Sequence, residues 1–265
     1  MPVRCCVLQP RAFSLPPVPM PAEKATAIVL RLVDFSETSL VVTLFTREFG
    51  KVRALAKGGR RPKGPFESAL DLLSLCRIVF LRKSSDALDL LTEAKLERRF
   101  RPPRGDLLCL YAGYYVAELL DALTHDDDPH PELFDAADAA LAGLGRPEAT
   151  TGWVLRIELA ALRLAGHLPT WRQCAACGRE LPHQGRAAFS AHAGGALCAG
   201  CRPGQRHVIS VSRAVIDALE HTAQTNVASE PQPVDPHIHG ELRAVMQHYL
   251  THVVGRPLRM HEYLR

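Results

Sequence analysis

Apolar and polar residues alternate through the first hundred positions, then recur at helical spacing over much of the remainder. Ala27–Val33 (AIVLRLV) and Ser39–Phe45 (SLVVTLF) are β-rich runs separated by the polar segment DFSET. TREFG follows, where Gly50 can take a left-handed turn, and then Lys51–Ala56 (KVRALA). Further strands are expected at Ala69–Leu75, Cys76–Arg82 and Leu88–Lys95. Between them KGGRRPKGP, residues 57–65, reads as a loop on glycine, proline and charge together. About five closely spaced antiparallel strands predict a small closed barrel, because closure removes exposed sheet edges. The alternative is a flat sheet covered by another domain.

The period changes after Pro102-Pro103. Leu107, Leu110, Tyr111, Tyr114, Tyr115 and Leu119 recur at helical spacing, and Asp106 is placed to cap a helix running to Leu123. The polar break THDDDPHP precedes a second helix over Glu132–Leu144. A third, capped by Thr150 or Thr151, runs to about Ala165 with a broad apolar surface. Ser210 or Ser212 opens a short helix through Leu219, and Gly240–Val253 holds another. The expected class is α+β and multidomain: a barrel over residues 23–104, then an α-helical domain over 105–265. Residues 1–22, with six prolines and little periodicity, are expected to be a flexible extension, and Met20 is an alternative start.

Charge sharpens this division. The formal net charge is only +4, but residues 1–104 carry 19 Lys and Arg against 10 Asp and Glu, a net of +9. Residues 105–265 carry 13 against 18, a net of −5. A basic half can collect phosphates, so nucleic acid becomes the expected partner. Arg47, Lys51, Arg53, Lys57, Arg60, Arg61 and Lys63 are the candidate DNA contacts. Lys51 and Arg53 share one face of a strand, and the rest spread across the glycine-rich loop. A plain solvated face is the competing account. Phe35, Phe45, Phe49 and Phe66 lie among these cations, and Phe49 and Phe66 are the base-stacking candidates.

Cys174, Cys177, Cys198 and Cys201 form a C-x2-C-x20-C-x2-C array within an insertion expected over 171–204. Two thiolate pairs can close around one zinc ion in tetrahedral geometry. Four cysteine ligands leave no open position for activating water, so the ion is expected to be structural. His183 and His192 fall between the pairs and are read as loop residues. The remaining cysteines, at 5, 6, 76 and 109, lack regular spacing. Catalytic constellations are absent: Asp126–Asp128 lacks calcium-loop spacing, KGGRRPKG is not a Walker loop, and no nucleophile elbow occurs. No run of about 20 apolar residues suggests a membrane span, and prolines interrupt the weak apolar stretch near the N-terminus. A cytoplasmic, non-enzymatic protein is expected, with no membrane partner.

AIVLRLVDFSETSLVVTLFTREFGKVRALAKGGRRPKG, the four-cysteine insertion and the ending VVGRPLRMHEYL together resemble the bacterial RecO family. The ending departs from the family's serine-rich form at Met260 and His261. The resemblance covers about Ala25–Leu264 and implies an N-terminal OB-fold followed by a helical domain bearing a structural zinc. It also implies a recombination mediator that binds single- and double-stranded DNA and anneals complementary strands. Implied partners are RecR, the C-terminal tail of single-stranded DNA-binding protein, in some bacteria RecF, and functionally RecA; nucleoid association follows. Arg156 and Arg163, two turns apart on the third helix, are the candidates to receive carboxylates of the protein tail, against the competing account that both merely solvate the helix. The rival readings are a zinc-stabilised sequence-specific DNA-binding regulator, a nuclease and a structural adaptor.

Overall fold

The computed structural model describes residues 21–61, 64–66, 69–83, 87–182, 184–225 and 229–264. Five strands form the first layer: β1 (Ala22–Asp34), β2 (Leu40–Thr46), β3 (Gly50–Ala56), β4 (Leu75–Leu81) and β5 (Asp89–Arg98). β1 is long enough to pair with two neighbours, β4 along its first half and β2 along its second, with a register shift between Val29 and Arg31. The order β1-β2-β3-β5-β4 brings the ring of pairings back to β1.

The expectation of an antiparallel barrel followed by a purely α-helical domain is corrected on three counts. The sheet is mixed, since β3 meets β5 in parallel over only Ala54–Ala56. Ala69–Leu75 is not a strand. Leu73 takes a positive φ of 63° there, and its N–H donates to the Val29 carbonyl at 2.8 Å, stitching a turn onto β1. Finally, the second half carries its own antiparallel sheet beside its helices, making it α+β. That sheet comprises β6 (Arg186–Ser190), β7 (Gly195–Leu197) and β8 (Val208–Ser212), in the order β7-β6-β8.

Period-2 alternation puts two different apolar sets on β1 and β2. Ala27, Val29, Val42 and Leu44 fill the interior of the five-stranded sheet. Ile28, Leu30 and Phe45 face outward into the larger helical core, where Phe45 and Phe134 lie 5.9 Å apart. Burial on both faces explains why these segments read as nearly continuous hydrophobic runs.

The helices are α1 (Leu107–Leu123), α2 (Pro131–Gly143), α3 (Thr150–Leu164), α4 (Arg213–Gln224) and α5 (Pro236–Val254). Asp106 caps α1 by accepting from the Cys109 N–H at 2.9 Å, and Ser212 caps α4. Thr150 and Thr151 do not cap α3, because a turn of 3-10 helix over Pro147–Ala149 runs directly into it. At the centre Arg243 of α5 donates to both Glu158 oxygens of α3, at 2.8 and 3.0 Å. Tyr115 of α1 completes the buried group through its hydroxyl. Glu118 accepts from the backbone N–H groups of Arg259 and Met260, both at 2.9 Å, which fixes the final 3-10 turn (Arg259–Leu264) on α1. His261 is buried in that turn with its ring 5.9 Å from Tyr115. No described helix is long and apolar enough to cross a membrane.

Candidate nucleic-acid interface and metal centre

The basic strand β3 faces the acidic half of its own chain. Arg47 holds Asp135 of α2 through two hydrogen bonds, at 2.8 and 3.0 Å. Lys51 is buried, and its Nζ donates to the Asp121 carbonyl of α1 at 2.8 Å. Arg53 and Arg82 pair with Asp126 and Asp127 at 3.4 and 3.0 Å, and Arg98 pairs with Asp138. The backbone joins in: the Asp127 N–H donates to the Lys51 carbonyl at 3.0 Å, and Lys51 and Asp126 form a parallel bridge. Gly50, at φ +70°, permits this approach, because a Cβ there would lie 2.1 Å from the Asp128 carbonyl oxygen. The acidic run 126–128 is therefore the docking partner of β3, a role its sequence spacing does not announce.

This placement revises the DNA contacts expected from sequence. Lys51 cannot meet phosphate because it is enclosed between the halves; Arg47 and Arg53 are exposed but already paired. Lys57, Arg60 and Arg61 remain on the exposed loop after β3. Arg60 makes a solvent-exposed pair with Asp34 at 3.3 Å, whereas Lys57 and Arg61 have no carboxylate partner among the described residues. Lys63 lies outside the described residues.

The stacking candidates also change. Phe66 is 4% exposed and belongs to the sheet interior. Phe49 is half-buried, edge-on to Phe80 at 5.6 Å and covered by the Arg82 guanidinium at 5.2 Å. The exposed ring is Phe35, at 63%, on the turn between β1 and β2. Its N–H donates to the Ser39 carbonyl, and the Arg60 N–H donates to the Thr38 carbonyl, both at 3.1 Å. These bonds hold the aromatic turn and the basic loop side by side. The sequence signal was available, since Phe35 sits in DFSET, the most polar segment between two strands.

The cysteine quartet is brought together as expected. All four Sγ atoms lie within 4.8 Å of one another, and Cys177 and Cys198 are 3.8 Å apart. A tetrahedral Zn–S distance of about 2.3 Å requires S–S edges of roughly 3.8 Å, so the donor set fits a thiophilic divalent ion. Each knuckle is shaped by backbone bonds: the Gly178 N–H donates to Cys174 and the Cys201 N–H to Cys198. Burial works to raise the Cys174 thiol, but N–H groups of Cys198, Ala176 and Cys177 bring it down to about 6. Cys177 and then Cys198 push Cys201 up to about 12. The Cys201 N–H in turn lowers Cys198, so two sulfurs are eased toward the thiolate while Cys201 resists a further anion, the repulsion that a cation relieves. His192 is exposed, away from the quartet, and His183 lies outside the described residues.

Residues 20–100 match the family description Recombination protein O N terminal, and residues 104–262 match Recombination protein O C terminal. The chain belongs to the RecO family. A "DNA repair protein RecO" of Rhodopirellula baltica is 43% identical over 262 residues, spanning 90% of this chain and 97% of the relative. Similar proteins of the same description from Anaeromyxobacter dehalogenans and Moorella thermoacetica are 36% and 32% identical. They cover 92% and 91% of this chain, and 96% and 90% of their own lengths.

Of the two arginines expected to receive a protein tail, only Arg163 is exposed in this RecO-family chain. Arg156 is buried, bonded to Ser229 at 3.1 Å and set over the Trp153 ring at 5.7 Å; burial lowers its pKa. Arg163 donates to the Ala223 carbonyl. The groove that both residues line encloses only about 10 Å³, too little for an aromatic side chain.

Proposed function

We propose that the chain is a non-enzymatic mediator of DNA repair and recombination. It binds single- and double-stranded DNA, anneals complementary strands and assists recombinase loading with RecR. Membership of the RecO family supports the role in general. The observation that carries the DNA interface is the pairing of exposed Phe35 with the loop bearing Lys57, Arg60 and Arg61. Cations there attract phosphate without reading sequence, and the ring offers a face that any base can stack upon. Annealing then needs no nucleophile, because base pairing supplies the favourable change once repulsion between strands is lowered.

Cys174, Cys177, Cys198 and Cys201 would hold one zinc ion, which supplies a crosslink between the two knuckles. The tail of single-stranded DNA-binding protein and, in some settings, RecF complete the partner set, with action at the nucleoid in the cytoplasm. The deciding experiment is a salt series of binding and annealing on unrelated strands, with DNA integrity checked afterward. The reading requires similar affinity across sequences, steep salt dependence and intact DNA. Strong sequence discrimination would instead identify a regulator, and metal-dependent cleavage a nuclease.

A further inference from the structure

Four of the chain's 12 histidines line one cleft. It encloses about 670 Å³ and is bordered by His192, Arg206, His207, His248, Thr251 and His252. These residues come from three separate places: the β6–β7 turn, the segment entering β8, and two successive turns of α5. The His192 and His252 rings lie 5.9 Å apart at a steep angle. His207 adopts a positive φ of 55°, a conformation that side chains beyond Cβ rarely occupy. The His248 Nε2 is closed off from bulk water and has no hydrogen-bond partner among the described residues. No carboxylate lines the cleft among those residues.

The arrangement selects an anion over a metal ion. Among the described residues, only the cysteine quartet groups three or more His, Cys, Asp or Glu closely enough to share one ion. The imidazoles surround a space instead of converging on a point, and Arg206 opposes any cation entering it. Protonation would give the cleft five positive groups with no internal counter-charge. Its volume falls in the range of built ligand sites, about 300–1,000 Å³, and exceeds what one phosphate group needs.

We propose that this cleft is a second, pH-gated phosphate site that holds the sugar–phosphate backbone of a DNA strand. It rests on the DNA-binding reading above but uses different elements from the Phe35–Arg60 surface. Histidine ordinarily titrates between about pH 5 and 8, so acidification charges the cleft and strengthens its hold on phosphate. By linkage, a bound strand in turn favours the protonated imidazoles. Two sites on one chain give each of two strands its own purchase.

The test uses the full-length, metal-loaded protein and labelled oligothymidylate, measured by anisotropy at fixed ionic strength from about pH 8 to about pH 5.5. Wild type should tighten several-fold, and its log–log salt slope should steepen by about 0.7 for each imidazole engaged. His207→Gln with His252→Gln should match wild type at the alkaline end and lose most of the tightening. Both residues are exposed, and unchanged metal content and melting temperature verify the fold. Imidazole proton resonances are followed in parallel with oligothymidylate and with inorganic phosphate. Signals that respond equally to inorganic phosphate at the same phosphate concentration would identify a free-anion site and overturn strand holding. DNA that binds while leaving these resonances unmoved would overturn the cleft and spare the DNA-binding reading. No binding by wild type at any pH would overturn both.

Discussion

Arg47, on the turn entering β3, and Asp135, on α2, are joined by two hydrogen bonds of 2.8 and 3.0 Å, one to each carboxylate oxygen. They belong to a seam in which the basic half of the chain meets the acidic half. Much of the +9 and −5 imbalance is consequently answered inside the molecule. A charge map drawn from sequence overstates the surface left for DNA.

Replacing Asp126 and Asp135 with Asn should therefore release Arg53 and Arg47 to solvent. DNA affinity is expected to rise, with the single-strand salt slope steepening by about 0.7 for each cation recruited. The melting temperature should fall, because the same pairs help join the two halves. Fluorescence anisotropy across a salt series, beside thermal unfolding, separates the two effects. An unchanged slope would mean that these arginines point away from the bound strand.

Phe35 and Phe66 should behave oppositely. Phe35→Ala is expected to weaken single-strand binding by about 1–3 kcal/mol, the scale of one base–aromatic stack, without lowering stability. Phe66→Ala should destabilise the fold by about 3–5 kcal/mol, as expected for a buried ring removed from a core. Urea unfolding and DNA titration of both variants make the comparison.

One thiophilic metal ion per chain should be found by elemental analysis. Cys177→Ser should lose it, and the β6–β7 region should lose protection from proteolysis. Chelation of the wild type should reproduce that local loss, while the five-stranded sheet keeps its protection.

Arg243→Met should destabilise the protein by about 3–5 kcal/mol, since it leaves Glu158 buried without its cation. Adding Glu158→Leu should recover a large part of that loss, because the unpaired charge disappears with its partner. Denaturant unfolding of both single variants and the double variant closes the cycle.

Acid should loosen α5 from β8 through Glu241. Burial tends to raise its pKa, but the Ser212 hydroxyl and N–H, together with Arg186, bring it below the ordinary value. A depressed carboxylate stabilises the fold above its unfolded pKa, about 4.3 for Glu, and that contribution disappears as pH falls through the folded value. Glu241→Gln should be less stable at neutral pH and show a flatter acid limb in its melting temperatures.

The regular elements were largely legible. Asp106 marks the start of α1 as its side chain allows, and the cysteine spacing delivers four converging sulfurs. Three features were not. The parallel contact of β3 with β5 depends on sheet closure, which no local period encodes. The β6–β8 sheet is written in short runs with many small residues, such as RAAFS and GAL, which carry little alternation. Lys51 was misplaced because a lysine in a basic strand resembles a surface residue until Asp121, 70 positions away, arrives above it. Pairing across that distance is settled by tertiary packing, and the same holds for Arg156, whose neighbour Ser229 comes from a distant loop.

The backbone bridge between Lys51 and Asp126 constrains change in a different way from the ion pairs around it. Asp127, at a positive φ of 58°, favours Asp, Asn or Gly, but the side chains at 126 and 128 can drift and still leave that bridge standing, because it is made by main-chain groups. A change of loop length cannot. An added residue between α1 and α2, or in the turn before β3, would slide one half's hydrogen-bonding groups past the other's and drive the Asp128 carbonyl against Gly50. Surface loops usually accept insertions readily; these two should tolerate them only in concert, so that the chain's two halves stay in step as they diverge.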